Sequence, residues 1–82
     1  MVAIGLVKPM LIYMNNIGIK IKEARLSNEF SREQVARKLG VSQQQLSRYE
    51  SGENRISADK LAVLATVLHK PIDYFHESGL PI

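Results

Sequence analysis

With 82 residues, the chain can hold one small domain around one modest core, which leaves no room for a second folding unit. It contains no cysteine, which excludes a disulfide framework and a thiolate zinc site, so apolar packing has to stabilise it alone. The formal net charge of +3 is mild but concentrated: eight basic residues against five acidic ones between Lys20 and Arg55 account for all of it, as a phosphate-binding surface would require.

Residues 1–14, MVAIGLVKPMLIYM, form an apolar arm. Lys8 and Pro9 divide it, and neither half approaches the roughly 20 residues that span a bilayer. A signal peptide would carry its charge ahead of the apolar run and end at small residues, whereas Lys8 is central. The expected location is therefore the cytoplasm, with no membrane partner. Gly5 and Pro9 oppose a continuous helix, so residues 2–7 and 10–13 read as short extended segments, unless Met10 or Met14 is a second start and the arm is dispensable. The domain proper spans residues 15–76, with 77–82 as a tail. Asn15 or Asn16 can cap a first helix that runs to about Ser27 and puts Ile17, Ile21 and Ala24 on its core face, with Arg25 close by. Ile19 and Leu26 point the opposite way. They are either scattered surface apolar residues, which are common, or a docking strip for the arm or for another subunit.

Residues 31–52, SREQVARKLGVSQQQLSRYESG, read as two short helices joined by a tight turn. Ser31 and Gln34 have the spacing of a capping box. Val35, Ala36 and Leu39 make one apolar stripe until Gly40, which takes a positive φ without steric cost. Val41 plugs the turn, and Ser42 caps a second helix whose Leu46 and Tyr49 point inward. At about 100° per residue, Gln43, Gln44, Ser47 and Arg48 fall within an arc of about 140° directed away from Leu46. This arc is rich in amides and lacks carboxylates. Glutamine can pair with adenine and arginine with guanine at base edges. Taken alone, the glutamine triplet reads as a polar exterior; the helix-turn-helix around it favours base reading.

Residues 53–56 form a linker carrying Arg55, after which Ser57 caps a further helix with Asp59 in its first turn. Leu61, Leu64, Ala65 and Leu68 face the core, while Val63 and Val67 make a second strip whose natural cover is a dimer interface. Pro71 opens a last short helix, residues 72–76, in which Ile72 and Phe75 close the core and Tyr74 looks outward to join Val63 and Val67. His69 and His76 share a side only if a helix continues through Pro71, so no metal site is expected. The chain carries no Gly-rich phosphate loop, nucleophile elbow or paired catalytic carboxylates, and neither an enzyme nor a cofactor is expected.

Ile17-Gly18, Arg25 at the end of the first helix, SREQVARKLGVS, LSRYESGE and LAVLATVL follow one another in the order of a known family. Over residues 17–75 the chain resembles the phage repressor and Cro-like, or Xre-like, helix-turn-helix family. That resemblance implies an all-α, five-helix, lambda-repressor-like DNA-binding domain, here with its apolar N-terminal arm. It implies that Gln43, Gln44 and Arg48 face the major groove, joined here by Ser47, and that Arg25 and Glu50 form a supporting ion pair. Arg32 stands where the family commonly has a phosphate-holding glutamine, and arginine keeps that ability with charge added. Ser42, Gln45 and Arg55 complete the expected phosphate contacts; Val63, Val67 and Tyr74 form the expected homodimer interface. His69 and Lys70 depart from the family, which often places a capping glycine and an apolar residue there. The implied function is a sequence-specific regulator, a repressor that binds double-stranded DNA at a palindromic operator as a dimer. The alternative is an antitoxin-like subunit that uses the same fold to bind a protein partner.

Overall fold

The computed structural model describes residues 17–77, which fold into five helices with no strand among the described residues. The arm, the Asn15 or Asn16 cap and residues 78–82 lie outside them. Helix α1 covers residues 17–27 and buries Ile21 and Ala24. Its end is a left-handed turn at Glu29, with the Phe30 N–H donating to Arg25 O at 3.1 Å and the Glu29 N–H to Leu26 O at 2.9 Å. Those bonds satisfy carbonyls that a helix end leaves unpaired.

Helix α2, Arg32–Leu39, begins at a complete capping box: the Gln34 N–H donates to Ser31 Oγ at 3.1 Å, and the Ser31 N–H donates to Gln34 Oε1 at 2.7 Å. It stops at Gly40. Helix α3, Gln43–Ser51, starts at Ser42, whose Oγ accepts from the Gln45 N–H, and ends at Gly52. Helix α4, Ala58–Val67, starts at Ser57 and closes through a left-handed His69, with the Lys70 N–H donating to Ala65 O at 2.9 Å.

Helix α5 is Asp73–Glu77, one residue later than the sequence predicts. Pro71 and Ile72 stay in the turn, where their carbonyls accept from the Tyr74 and Phe75 N–H groups. The rule that residues three apart share a helix face therefore fails to link Ile72 with Phe75. Phe75 is fully buried, but Ile72 is 40% exposed and does not close the core.

The core joins all five helices through Ile21, Ala24, Val35, Ala36, Leu39, Leu46, Tyr49, Leu61, Leu64, Ala65, Leu68 and Phe75. Helix α2 packs against both α3 and α4. Helix α1 crosses the end of α3 at Gly18, where a Cβ would lie 2.5 Å from the carbonyl oxygens of both Tyr49 and Glu50. Only a residue without a side chain allows that approach.

The strip formed by Val63, Val67 and Tyr74 is not a single outward apolar face. Val63 is 48% exposed, but Val67 and Tyr74 are half-buried and pack on their own core. The Tyr74 ring meets Phe75 edge-on at 5.0 Å, and the Lys20 and Lys70 ammonium groups lie 4.5 and 4.9 Å from its centroid. Two cations over one ring make this surface cationic rather than apolar. Ile19 and Leu26 are exposed. Among the described residues, no helix is long and apolar enough to cross a membrane, and no cluster of His, Cys, Asp or Glu could hold a metal ion.

Candidate nucleic-acid interface

Leu46, Tyr49 and Glu50 turn toward the protein and fix the rotation of α3. Gln43, Gln44, Ser47 and Arg48 are consequently exposed on its other side. Arg32, at the start of α2, joins Gln43, Gln44 and Ser47 around a shallow cleft of about 280 Å³. The first N–H groups of α2 and α3 have no partner within their own helices, so positive partial charge accompanies this face.

Beneath the cleft lies a three-residue charge cluster. Arg25 Nε donates to Glu50 Oε2 at 2.7 Å and Arg25 Nη2 to Oε1 at 3.2 Å, while Arg25 Nη1 donates to Phe30 O at 3.1 Å. Arg32 Nε donates to the same Glu50 Oε1 at 3.1 Å. Arg25 and Glu50 are buried, and no buried side-chain nitrogen or oxygen among the described residues lacks a partner. Desolvating two charges is costly, and a fork of charge-assisted bonds is what offsets it. The pair ties the end of α1 to the last turn of α3.

Two other side chains of α3 are engaged by the segment that follows it. Gln45 is half-buried and its Nε2 donates to Asn54 Oδ1 at 3.2 Å. Arg48 Nε lies 3.7 Å from Glu53 Oε1, an ion pair between two exposed groups. Ser42 is exposed at the cap. Arg55 is not brought to the cleft; it lines a separate cavity of about 720 Å³, whose apolar wall includes Ile17, Tyr49, Ile56, Leu61 and Ile72.

The bond from Arg32 to Glu50 and the contacts of Glu53 and Asn54 are not legible in the sequence. Arg32 and Glu50 are 18 residues apart on different helices, so no spacing rule links them. The available signal was the arginine itself, standing where the resembling family has a neutral glutamine.

The helix-turn-helix family matches residues 21–75, from within α1 to within α5. An uncharacterized transcriptional regulator in the ATPase CF(0) region of Rhodospirillum rubrum is 43% identical over 60 residues, covering 73% of this chain and 56% of that protein. An uncharacterized HTH-type transcriptional regulator of Rickettsia conorii is 46% identical over 61 residues, covering 74% of this chain and 49% of that protein. The chain thus spans about half the length of these relatives. Among solved structures, the restriction-modification controller protein C.AhdI from Aeromonas hydrophila is similar at a TM-score of 0.72 and 22% identity, over 76% of this chain and 94% of that one. That last likeness is one of fold. With the family match covering the capped α2–α3 pair and every helix that packs on it, the chain belongs to the helix-turn-helix family.

Proposed function

We propose that the protein is a DNA-binding transcriptional regulator that reads duplex DNA with α3. The observation that carries this reading is the exposed face of Gln43, Gln44, Ser47 and Arg48, set beside Arg32 and held by the Arg25–Glu50 pair. In this reading, amide and guanidinium groups meet base edges in the major groove. Arg32, Ser42 and the helix N-termini meet phosphates. Gln45 and Arg55 are lesser phosphate contacts, because one is tied to Asn54 and the other lines a different cavity. The names of the relatives, transcriptional regulators, support the same role. A regulator of this kind acts where the DNA is, in the cytoplasm.

The finer reading is a repressor acting as a two-fold dimer on a palindromic operator. Val63 is the exposed large apolar residue of α4 on which that dimer would rest, and Val63→Glu should give a monomer by sedimentation. Val67→Glu is a poorer probe, because Val67 packs on its own core. The test of function is selection of bound sites from a random DNA pool. Paired half-sites about 10 base pairs apart are expected, and absence of any enriched sequence overturns the reading. The second reading, a protein-binding subunit, draws on exposed Ile19 and Leu26. Binding through those residues would be insensitive to salt, whereas binding through phosphates weakens steeply as salt rises.

A further inference from the structure

We infer that Glu50 is a positioning residue for DNA binding as well as a strut of the fold: its carboxylate holds the Nε side of Arg32 so that the two terminal amino groups face a DNA phosphate. The inference rests on the reading that the cleft of Arg32, Gln43, Gln44 and Ser47 faces duplex DNA. Three observations carry it. Glu50 supplies one negative charge to two guanidinium groups, so the cluster holds an excess positive charge that a phosphate would balance. The buried partner, Arg25, already takes both carboxylate oxygens and cannot move outward. Arg32 shares Oε1 through Nε alone, has no other side-chain hydrogen bond among the described residues, and its side chain is 42% exposed at the cleft.

Geometry makes arginine specific in this position. A guanidinium is planar, so fixing Nε on Glu50 fixes the plane and the direction of Nη1 and Nη2. Those two groups form the fork that suits two phosphate oxygens. The result is an alternating chain of Arg25, Glu50, Arg32 and phosphate, with the buried end rigid and the outer end presented to the duplex. A lysine at position 32 would keep the charge but reduce the contact to a point, with nothing to fix its direction.

The test uses the whole chain and a mixed-sequence duplex, since phosphate contacts do not depend on base sequence. Arg32→Lys should bind roughly tenfold more weakly with an unchanged salt slope, because charge is kept and geometry is lost. Arg32→Gln should weaken binding and lower the salt slope by about one. Glu50→Gln, assayed well below its melting temperature, should reduce affinity more in the wild-type background than in Arg32→Ala. A purely structural Glu50 would reduce it equally in both. Equal loss in the two backgrounds, or an Arg32→Lys variant that binds like wild type, overturns the inference while leaving the DNA-binding function intact. A wild-type protein that binds no duplex at low salt overturns both together.

Discussion

Helices α2 and α3 end on glycines, Gly40 at φ 81° and Gly52 at φ 86°, whereas α1 and α4 end on Glu29 at φ 60° and His69 at φ 59°. All four residues hold the left-handed conformation, yet only glycine adopts it without a steric penalty. In the helix-turn-helix the residue type itself writes the stop. In the flanking helices the stop is held by contacts between them: Asn28 Nδ2 donates both to Ala24 O and across to Leu68 O, at 2.8 Å each. The two ends that lack glycine thus brace one another. Local chemistry shapes the motif, and tertiary packing shapes the frame that carries it.

The largest effects should come from removing one buried anchor on each side of this division. In the frame, Phe75→Ala should cost about 3–5 kcal/mol in urea unfolding, as loss of a buried aromatic typically does. Ile72→Ala, at a residue 40% exposed, should cost under about 1 kcal/mol. Equal losses would mean that Ile72 closes the core after all. At the motif, Glu50→Ala leaves Arg25 buried without its carboxylate and should cost about 3–5 kcal/mol. A melt like that of wild type would show that the cluster does not hold α1 to α3.

A smaller effect is expected where the two sides touch. Gly18→Ala puts a methyl group 2.5 Å from two backbone carbonyl oxygens of α3. Backbone cannot yield as a side-chain tip does, so α1 has to shift, at a cost of about 1–3 kcal/mol. Chemical shifts should move along α1 and at Tyr49 and Glu50. A variant as stable as wild type, with no shifts at Tyr49 and Glu50, would place α1 farther from α3.

The same division decides what the sequence discloses. Ser31, Gln34, Gly40 and Ser42 act within a few residues of themselves, so α2 and the start of α3 can be read from spacing alone, and with them the outward arc of Gln43, Gln44, Ser47 and Arg48. Ile72 departs from its expected core position because a single residue of delay in α5 removes it from the helical face. The cationic surroundings of Tyr74 are legible only in part, because Lys70 is four residues away while Lys20 reaches the ring from a distant part of the chain. Gly18 was recognisable as part of a pattern, but its reason, the carbonyls of α3, exists only in three dimensions. The bond from Arg32 to Glu50 is of the same kind, a link between helices that no periodicity encodes.

The smallest effects sharpen the comparison most, because they ask whether the flanking helices would accept the stop that the motif uses. Glycine at position 29 or 69 relieves the left-handed penalty of about 1–2 kcal/mol and adds back about 0.5–1 kcal/mol of chain entropy, so each change should stabilise by up to about 1.5 kcal/mol. The two should not be equal. Glu29 places a negative charge at the C-terminus of α1, where the helix dipole disfavours it, while a histidine after α4 is neutral or favourable there. Glu29→Gly should therefore gain more than His69→Gly, and added salt should narrow the gap by screening the dipole term. Urea midpoints of the two variants and the double variant check this. If neither variant gains, or if His69→Gly gains more at low salt, then Asn28 and the packing around it already remove the strain, and the frame has no stop left to improve.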